Sequence, residues 1–352
     1  MCDHRVLNYI IVSFLLGVIG ASHVFAEVGF GEIDPAAREL AEKLIKRGTV
    51  LRNADVSCLY ISGSANPAAL RELEKALRKL PQSFHTIETE RGVIDVMKSS
   101  KIFAARVLRG ELSQRNDELV SKWTSDLDML SQLTSQDIPK AGQTFEKSAT
   151  LRRFGDGTVC YVVDDKSVSL FPSLVAVNLP TITSMDTALG SWEGMRRTDP
   201  IASQKVLRRF ADPFDSLVYV NLVGQEFSSE MVFTFDVSRG YAPVSVSEVL
   251  TKAGEKDSFK MPLRHFYFSS VDGSHPVVTA LQLHVVGAQI EEFQLYLVEK
   301  WEPKSTKDSL AQVPVPEKFT LLDHRFGKVP LIKSVEAAAS KIRTLDDLVG
   351  QN

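Results

Sequence analysis

Charge of one sign is not in excess in this sequence, which has 41 Lys and Arg against 44 Asp and Glu and a formal net charge of −3. A chain without a basic excess has little to neutralise a phosphate backbone, so we predict no nucleic-acid partner. Hydrophobic residues make up 44% and charged residues 24% of the 352 residues. This composition excludes a disordered chain, a collagen-like fibre and a polytopic membrane protein, and it fits one large or two modest globular domains.

Motifs that carry catalysis are also lacking. No phosphate loop is present, and Gly29-Phe30-Gly31 lacks the third glycine of a dinucleotide fingerprint. The loop Ser62-Gly63-Ser64 does not have the spacing of a nucleophile elbow. No histidine beyond residue 26 is paired at i+2 or i+4 with another histidine or a cysteine, as a metal site would favour. We therefore predict a protein that is not an enzyme, with no cofactor and no metal.

The first 26 residues have the pattern of a signal peptide. Arg5 precedes the apolar stretch Tyr9–Ile19, and Val24-Phe25-Ala26 places short side chains at the expected cleavage positions. We predict cleavage after Ala26 and a periplasmic or secreted mature protein. The alternative is an uncleaved anchor, because Val6–Ala26 contains no Asp, Glu, Lys or Arg and is long enough to span a bilayer.

Cysteine is scarce, with three residues in the chain. Cleavage would remove Cys2 and leave Cys58 and Cys160 as an even pair. Exported proteins reach an oxidising compartment, where a disulfide between these two cysteines could form. Two buried and unpaired thiols are the alternative, and the sequence leaves both open.

Helical signals dominate residues 27–83, which we predict to be an N-terminal helical segment. Asp34-Pro35 and Asn66-Pro67 each look like an N-cap followed by proline in the first turn. Leucines at helical spacing follow both signals, up to Gly48 and Leu80. Between the two helices, Val56–Ile61 reads as a short strand.

Residues 84–301 are predicted to form a sheet domain. Ile102–Leu108 is predicted as a strand, Glu111–Leu133 as a long helix and Ile201–Phe210 as a short one. From residue 218 onward, period-two alternation and short turns predict an antiparallel meander. For the remaining segment, 302–352, we predict a linker and a C-terminal helix from Ser334 to Leu348.

Three turn segments resemble those of the bacterial lipoprotein carriers, the LolA/LolB-like proteins. Phe154-Gly155-Asp156-Gly157-Thr158 is similar to the family's early hairpin turn. Phe233–Asp236 followed by Arg239–Pro243, and later Val271–Pro276, resemble its strand–turn–strand units with a proline at the next strand. The resemblance extends over about two-thirds of the chain, with extra helices before residue 84 and an extra tail after Trp301.

The resemblance implies an α+β fold: a strongly curved antiparallel sheet, or half-barrel, with helices packed on its concave side and an apolar cavity for acyl chains. Alternating apolar residues of the sheet are the candidate cavity wall, with a dry core as the alternative. These residues are Met231, Phe233, Phe235, Phe266, Phe268, Leu281, Leu283, Phe293, Leu295 and Leu297.

We therefore predict a non-catalytic binding protein for lipid or lipoprotein acyl chains. Its partners would be a lipid, a protein of the cell envelope, and a membrane only transiently or through an uncleaved anchor. One alternative is an envelope structural or interaction protein with no small-molecule site. The other is an unrecognised hydrolase, which a histidine with an aspartate or cysteine in a cleft would indicate.

Overall fold

The structure is a computed structural model that describes residues 34–51, 53–115, 118–134, 146–154, 157–164, 166–171, 204–223, 227–252, 264–270, 273–286, 290–310, 312–325, 329–337, 341–344 and 347–348. The predicted signal peptide and its alternative as an anchor lie outside these residues. None of the helices in the described ranges is long and apolar enough to cross a membrane.

In the described ranges, the longer helices are α1 Pro35–Leu51, α2 Pro67–Lys79, α3 Ile87–Ser99 and α4 Leu127–Leu133. Both predicted helix starts are confirmed. The Asp34 carboxylate accepts a hydrogen bond from the Ala36 amide at 3.0 Å, and the Asn66 side chain accepts one from the Ala69 amide at 2.8 Å. These side chains satisfy amides that have no partner within the first helical turn.

Among the residues that the structure describes, fifteen strands form one sheet. They are β1 Ala54–Ala65, β2 Phe103–Arg115, β3 Glu118–Ser125, β4 Glu146–Phe154, β5 Gly157–Val163, β6 Ser167–Phe171, β7 Gln204–Ala211, β8 Phe214–Val223, β9 Phe227–Asp236, β10 Ala242–Lys252, β11 Arg264–Ser269, β12 Val277–Val286, β13 Ile290–Pro303, β14 Lys318–Asp323 and β15 Leu331–Glu336. Their order is β15-β14-β6-β5-β4-β3-β2-β1-β13-β12-β11-β10-β9-β8-β7. All neighbours are antiparallel except β14 and β6.

Two antiparallel meanders build this sheet. Strands β1 to β6 form the first, and β7 to β13 form the second, which confirms the predicted meander. The meanders are joined where β1 pairs with β13 over its whole length, from Ala54 opposite Pro303 to Ala65 opposite Glu291. Segment 27–83 therefore contributes a strand in the interior of the sheet.

Two predicted helices are wrong, and a third does not begin at its predicted residue. Glu111–Leu133 is divided among β2, β3 and the short α4, and Ile201–Phe210 overlaps β7. Residues four apart, such as Leu119 and Trp123, share one face of a strand as well as one face of a helix. Their spacing therefore did not distinguish a strand from a helix. Ser334 lies inside β15 and does not cap a helix; β15 and β14 extend the sheet beyond β6.

Buried clusters cover both faces of the sheet at β1. Val56, Cys58 and Tyr60 belong to one cluster, while Leu59 and Ile61 belong to another. Successive strand residues point to opposite faces, so we name these the first face and the second face, respectively.

The helices are divided between the two faces. Buried residues of α1 join the cluster on the first face: Ala37, Leu40 and Leu44. Buried residues of α2, α3 and α4 join the cluster on the second face, among them Leu73, Met97 and Leu133. Helices therefore lie on both faces, which differs from the prediction that they pack on one side.

Candidate functional site

The ten predicted wall residues do not share one face. Phe235 is buried in the first-face cluster, and Met231 and Phe233 pack against it half-buried. Five others are buried in the second-face cluster: Leu281, Leu283, Phe293, Leu295 and Leu297. The side chains of Phe266 and Phe268 lie outside the described ones. The prediction of a single converging wall is therefore wrong.

A β-bulge in β10 separates the two groups. The register between β9 and β10 shifts between Pro243 and Ser245, so that Phe233 lies opposite Val246. Without the bulge, Phe233 would lie opposite Ser245. Ser245 pairs with Phe266 of β11, and Phe266 pairs with Leu281 of β12, so Phe233 would then share a face with Leu281. One extra residue exchanges the faces of a strand relative to its neighbour. The bulge thus assigns the apolar rows of β9 and β12 to opposite faces.

On the second face, the apolar row is a dry core. Leu281, Leu295 and Leu297 are fully buried, and they pack in one cluster with apolar residues of α2, α3 and α4. This is the alternative considered for the candidate wall, and for these residues it is the arrangement found.

The first face has a different character. Tyr60 packs against Tyr296 with ring centroids 4.9 Å apart and against Trp123 at 6.3 Å in an edge-on geometry. On β9, Phe233 meets Tyr219 edge-on at 5.4 Å. Unlike the leucines under the helices, Phe233 remains half-buried. The first face therefore combines a buried aromatic floor with apolar side chains that still reach solvent.

Buried polar atoms without partners lie on the same face. Within the described part of the chain, the indole nitrogens of Trp123 and Trp301 and the amide oxygen of Gln294 have no hydrogen-bond partner. Trp123 and Trp301 pack in the first-face cluster. Gln294 directly precedes Leu295, which lies on the second face, so Gln294 lies on the first face. Buried polar atoms usually find a partner in the protein, in ordered water or in a ligand.

The two cysteines are not joined in this structure. Cys58 is a free and fully buried thiol on β1, and burial raises its pKa. Cys160 belongs to β5, four strands away in the sheet order, and its side chain lies outside the described ones. For Cys58, the arrangement found is the unpaired alternative, in place of the disulfide.

We expect thiol labelling to detect both cysteines. In the folded protein Cys58 should resist a thiol reagent, because the thiol is buried and protonated. After unfolding without reductant, peptide mapping should find both Cys58 and Cys160 labelled. If neither is labelled until reductant is added, the two are bridged and the arrangement described here is contradicted.

A polar pocket of about 710 Å³ opens on the second face, beside the start of α3. At its centre Arg109 of β2 binds three carboxylates. It contacts Glu90 of α3 at 3.1 Å, Asp126 at 2.9 Å, and Glu299 of β13. Asp126 also accepts a hydrogen bond from the Met129 amide at the start of α4. One guanidinium thus ties two helices to two strands.

Glu299 is placed by a second bulge. In the register of β1 and β13, Ser57 lies opposite Lys300 and Cys58 lies opposite Val298, so Glu299 is an extra residue in β13. Bulges re-aim side chains in this way. Burial and a hydrogen bond with Glu90 raise the pKa of Glu299 to about 7, although Arg109 opposes the shift. Glu299 therefore keeps its proton up to near-neutral pH.

His85 lines the same pocket but is almost completely buried. Its Nε2 lies 2.6 Å from the hydroxyl oxygen of Thr279, and burial lowers its pKa to about 4. Thr279 is itself 3% exposed, so this hydroxyl is not accessible as a nucleophile. The arrangement can bind and release a proton at Glu299, and it holds His85 neutral. Within the described ranges, no group of His, Cys, Asp or Glu is arranged to hold a metal ion.

Sequence reasoning gave no role to these polar residues. Glu90, Arg109 and Glu299 are distant in the chain, and each reads as a solvated charge in its own element. Only Asp126 carried a local signal, because it lies where an N-cap residue starts a helix.

Comparisons with known proteins are sparse. No protein-family model matches the sequence, and no curated protein matches it. Among solved structures, the chain is similar to a crystal structure of a DUF1329 family protein from Desulfovibrio piger. That similarity has 9% sequence identity and a TM-score of 0.39, and it covers 78% of this chain and 94% of the other. At this level it carries no information about function.

Proposed function

We propose that this chain is a non-catalytic binding protein whose first face holds the acyl chain of a lipid. The observation that carries the proposal is the combination of half-buried Phe233 and Met231 with buried polar atoms that lack partners on the same face. Ligand sites are mostly apolar, with a few polar groups that orient the ligand. A fatty acyl ester or acid has the matching composition of a long apolar tail and a few oxygen acceptors.

Donors on this face suit such oxygens. The indole N–H groups of Trp123 and Trp301 can donate to a carboxyl or ester oxygen, which would satisfy two buried donors that the described residues leave unpaired. Half-buried Met231 and Phe233, which pack against the cluster that contains the aromatic floor, offer dispersion contacts to methylene groups.

Curvature of the sheet around the first face is part of the proposal. Val162 of β5 and Val206 of β7 belong to the same first-face cluster, although eleven strand spacings separate their strands in the sheet order. In a flat sheet, strands about 4.8 Å apart would put these two about 50 Å from each other. A sheet that curves towards the first face would enclose a ligand on that side.

Export completes the proposed role. The signal-peptide pattern of residues 1–26 supports a periplasmic or secreted location, where a carrier would shield acyl chains from water. A protein of the envelope is the partner that such a carrier would meet.

The proposal is tested by titrating the protein with a fluorescent fatty acid. Phe233→Asp would place a carboxylate among methylene groups, which costs several kcal/mol or forces its neutralisation. We expect the affinity for the probe to fall at least about tenfold. Phe233 is a better target than fully buried Phe235, where a charge would unfold the protein.

Phe103→Asp is the matched control, because it makes the same change at a phenylalanine that is 48% exposed on β2. Its affinity should equal that of the wild type, and circular dichroism should show all three proteins folded. A folded wild-type protein that binds no fatty-acid probe would contradict the proposal. It would favour the envelope structural protein without a small-molecule site.

A further inference from the structure

Exposed aromatic rings gather at one tight turn of the sheet. Phe210 is the last residue but one of β7 and is 60% exposed, and Phe214 begins β8 and is 38% exposed. Residues 210–214 comprise the adjoining ends of these strands and the turn between them, and we call them the hairpin tip. Burying large apolar rings is favourable, so two exposed rings at one turn indicate a binding surface.

The two rings lie on opposite sides of the ribbon. Phe210 pairs with Asp215 and Phe214 pairs with Ala211, so the rings occupy alternate faces of the two paired strands. A groove on a protein would normally cover one face of such a ribbon. A tip with an apolar ring on each side suits a medium that surrounds it, such as the interfacial region of a lipid bilayer.

Rigid contacts support the tip from behind. Arg208 binds the carboxylate of Asp215 through two nitrogens, at 2.7 to 3.1 Å, and Asp215 is fully buried. The next turn of the sheet also holds the tip, because the Val237 amide donates to the Pro213 carbonyl at 3.0 Å. Presenting rings on a rigid support lowers the entropic cost of inserting them.

The strands of the tip continue into the proposed binding face. Val206 of β7 and Leu217 and Tyr219 of β8 belong to the first-face cluster. The tip is therefore the outer end of the same strands that would line the acyl chain. A bilayer contact at this end would bring the proposed site close to its source of lipid.

We propose that the hairpin tip inserts Phe210 and Phe214 into the interfacial region of a lipid bilayer. The choice of lipid as the occupant rests on the proposed acyl-chain function. The attraction is apolar, so it needs no anionic lipid, and it persists at high salt.

The test is co-sedimentation of the full chain with phosphatidylcholine vesicles. We expect the wild-type protein to bind, and Phe210→Ser with Phe214→Ser to lower its partition coefficient at least about tenfold, since each ring withdrawn from water contributes on that order. Phe103→Ser is the matched control, and it should partition like the wild type. Raising the salt concentration should leave the wild-type partition unchanged.

Several results would overturn the inference. They are a wild-type protein that does not bind the vesicles, a double variant that binds as well as the wild type, and a Phe103→Ser protein that loses as much binding. Self-association of the lipid-free wild type, removed by the double variant, would assign the tip to contact between copies instead. Gel filtration measures this directly.

Fatty-acid titration without vesicles separates this inference from the proposed function. The double variant should bind the fluorescent fatty acid as the wild type does, because the tip lies outside the first-face cluster. Loss of vesicle binding alone therefore supports the tip. A wild type that binds vesicles through the tip but takes no fatty acid refutes the acyl-chain function and leaves the membrane contact standing.

Discussion

Gly110→Ala should destabilise the fold by about 3 kcal/mol, because it introduces a methyl group where the Trp123 ring lies. A Cβ at Gly110 would be 2.3 Å from the nearest ring carbon of Trp123, closer than any real contact. The two residues are paired on neighbouring strands, and Trp123 is fully buried. The ring cannot move into solvent without losing its packing, so the strain remains in the folded state.

Urea unfolding measures this effect, and Gly92→Ala is its control. Gly92 lies in α3, and a Cβ there would meet nothing within 4 Å. Alanine has the higher helix propensity, so this second substitution should stabilise the protein by up to about 1 kcal/mol. Two substitutions of the same chemistry are thus expected to have opposite signs. A Gly110→Ala protein as stable as the wild type would show that Trp123 does not occupy that position.

Glu299→Gln and His85→Gln should change the pH dependence of stability in opposite directions. The folded pKa of His85 is lowered from 6.5 to about 4, so between these values only the unfolded state binds the proton, and stability rises with pH. The folded pKa of Glu299 is raised from 4.5 to about 7, so between these values only the folded state binds the proton, and stability falls as pH rises.

In the wild type, these two contributions oppose each other between about pH 4.5 and 6.5. Each is at most on the order of 3 kcal/mol, and less for Glu299 because its side chain is partly exposed. Glu299→Gln should leave the contribution of His85, so its stability relative to the wild type rises from pH 4.5 to 7. His85→Gln should leave the contribution of Glu299, so its relative stability falls from about pH 4 to 6.5.

Urea midpoints measured across this range test the pair. Differences from the wild type are compared, since carboxylates such as Asp55 and Asp323, whose pKa values are lowered, affect all three proteins alike at low pH. Parallel curves for all three proteins would contradict the protonation states assigned to the pocket. If the stabilities of both variants diverge from that of the wild type in the same direction as pH rises, only one of the two groups has a shifted pKa.

Local chemistry was sufficient for the elements with short-range signals. The caps at Asp34 and Asn66 were readable, because a side chain that accepts an amide hydrogen of the first turn acts within three residues. The later meander was readable from alternation and turns. Helix α3 was missed, although Thr86 and Thr89 form a capping box at its start, because Thr89 stands where the usual box has Glu or Gln.

The sequence by itself determined that this is a mixed α and β chain with a long antiparallel meander. Only the tertiary structure decided which apolar rows are buried under helices and which reach solvent. A single bulged residue in β10 reverses the face of Phe233 relative to Leu281, and alternation is identical on either side of it. The pairing of β1 with β13 and the convergence of Glu90, Arg109 and Glu299 join distant segments. Such contacts depend on the register of the whole sheet, which no local pattern records.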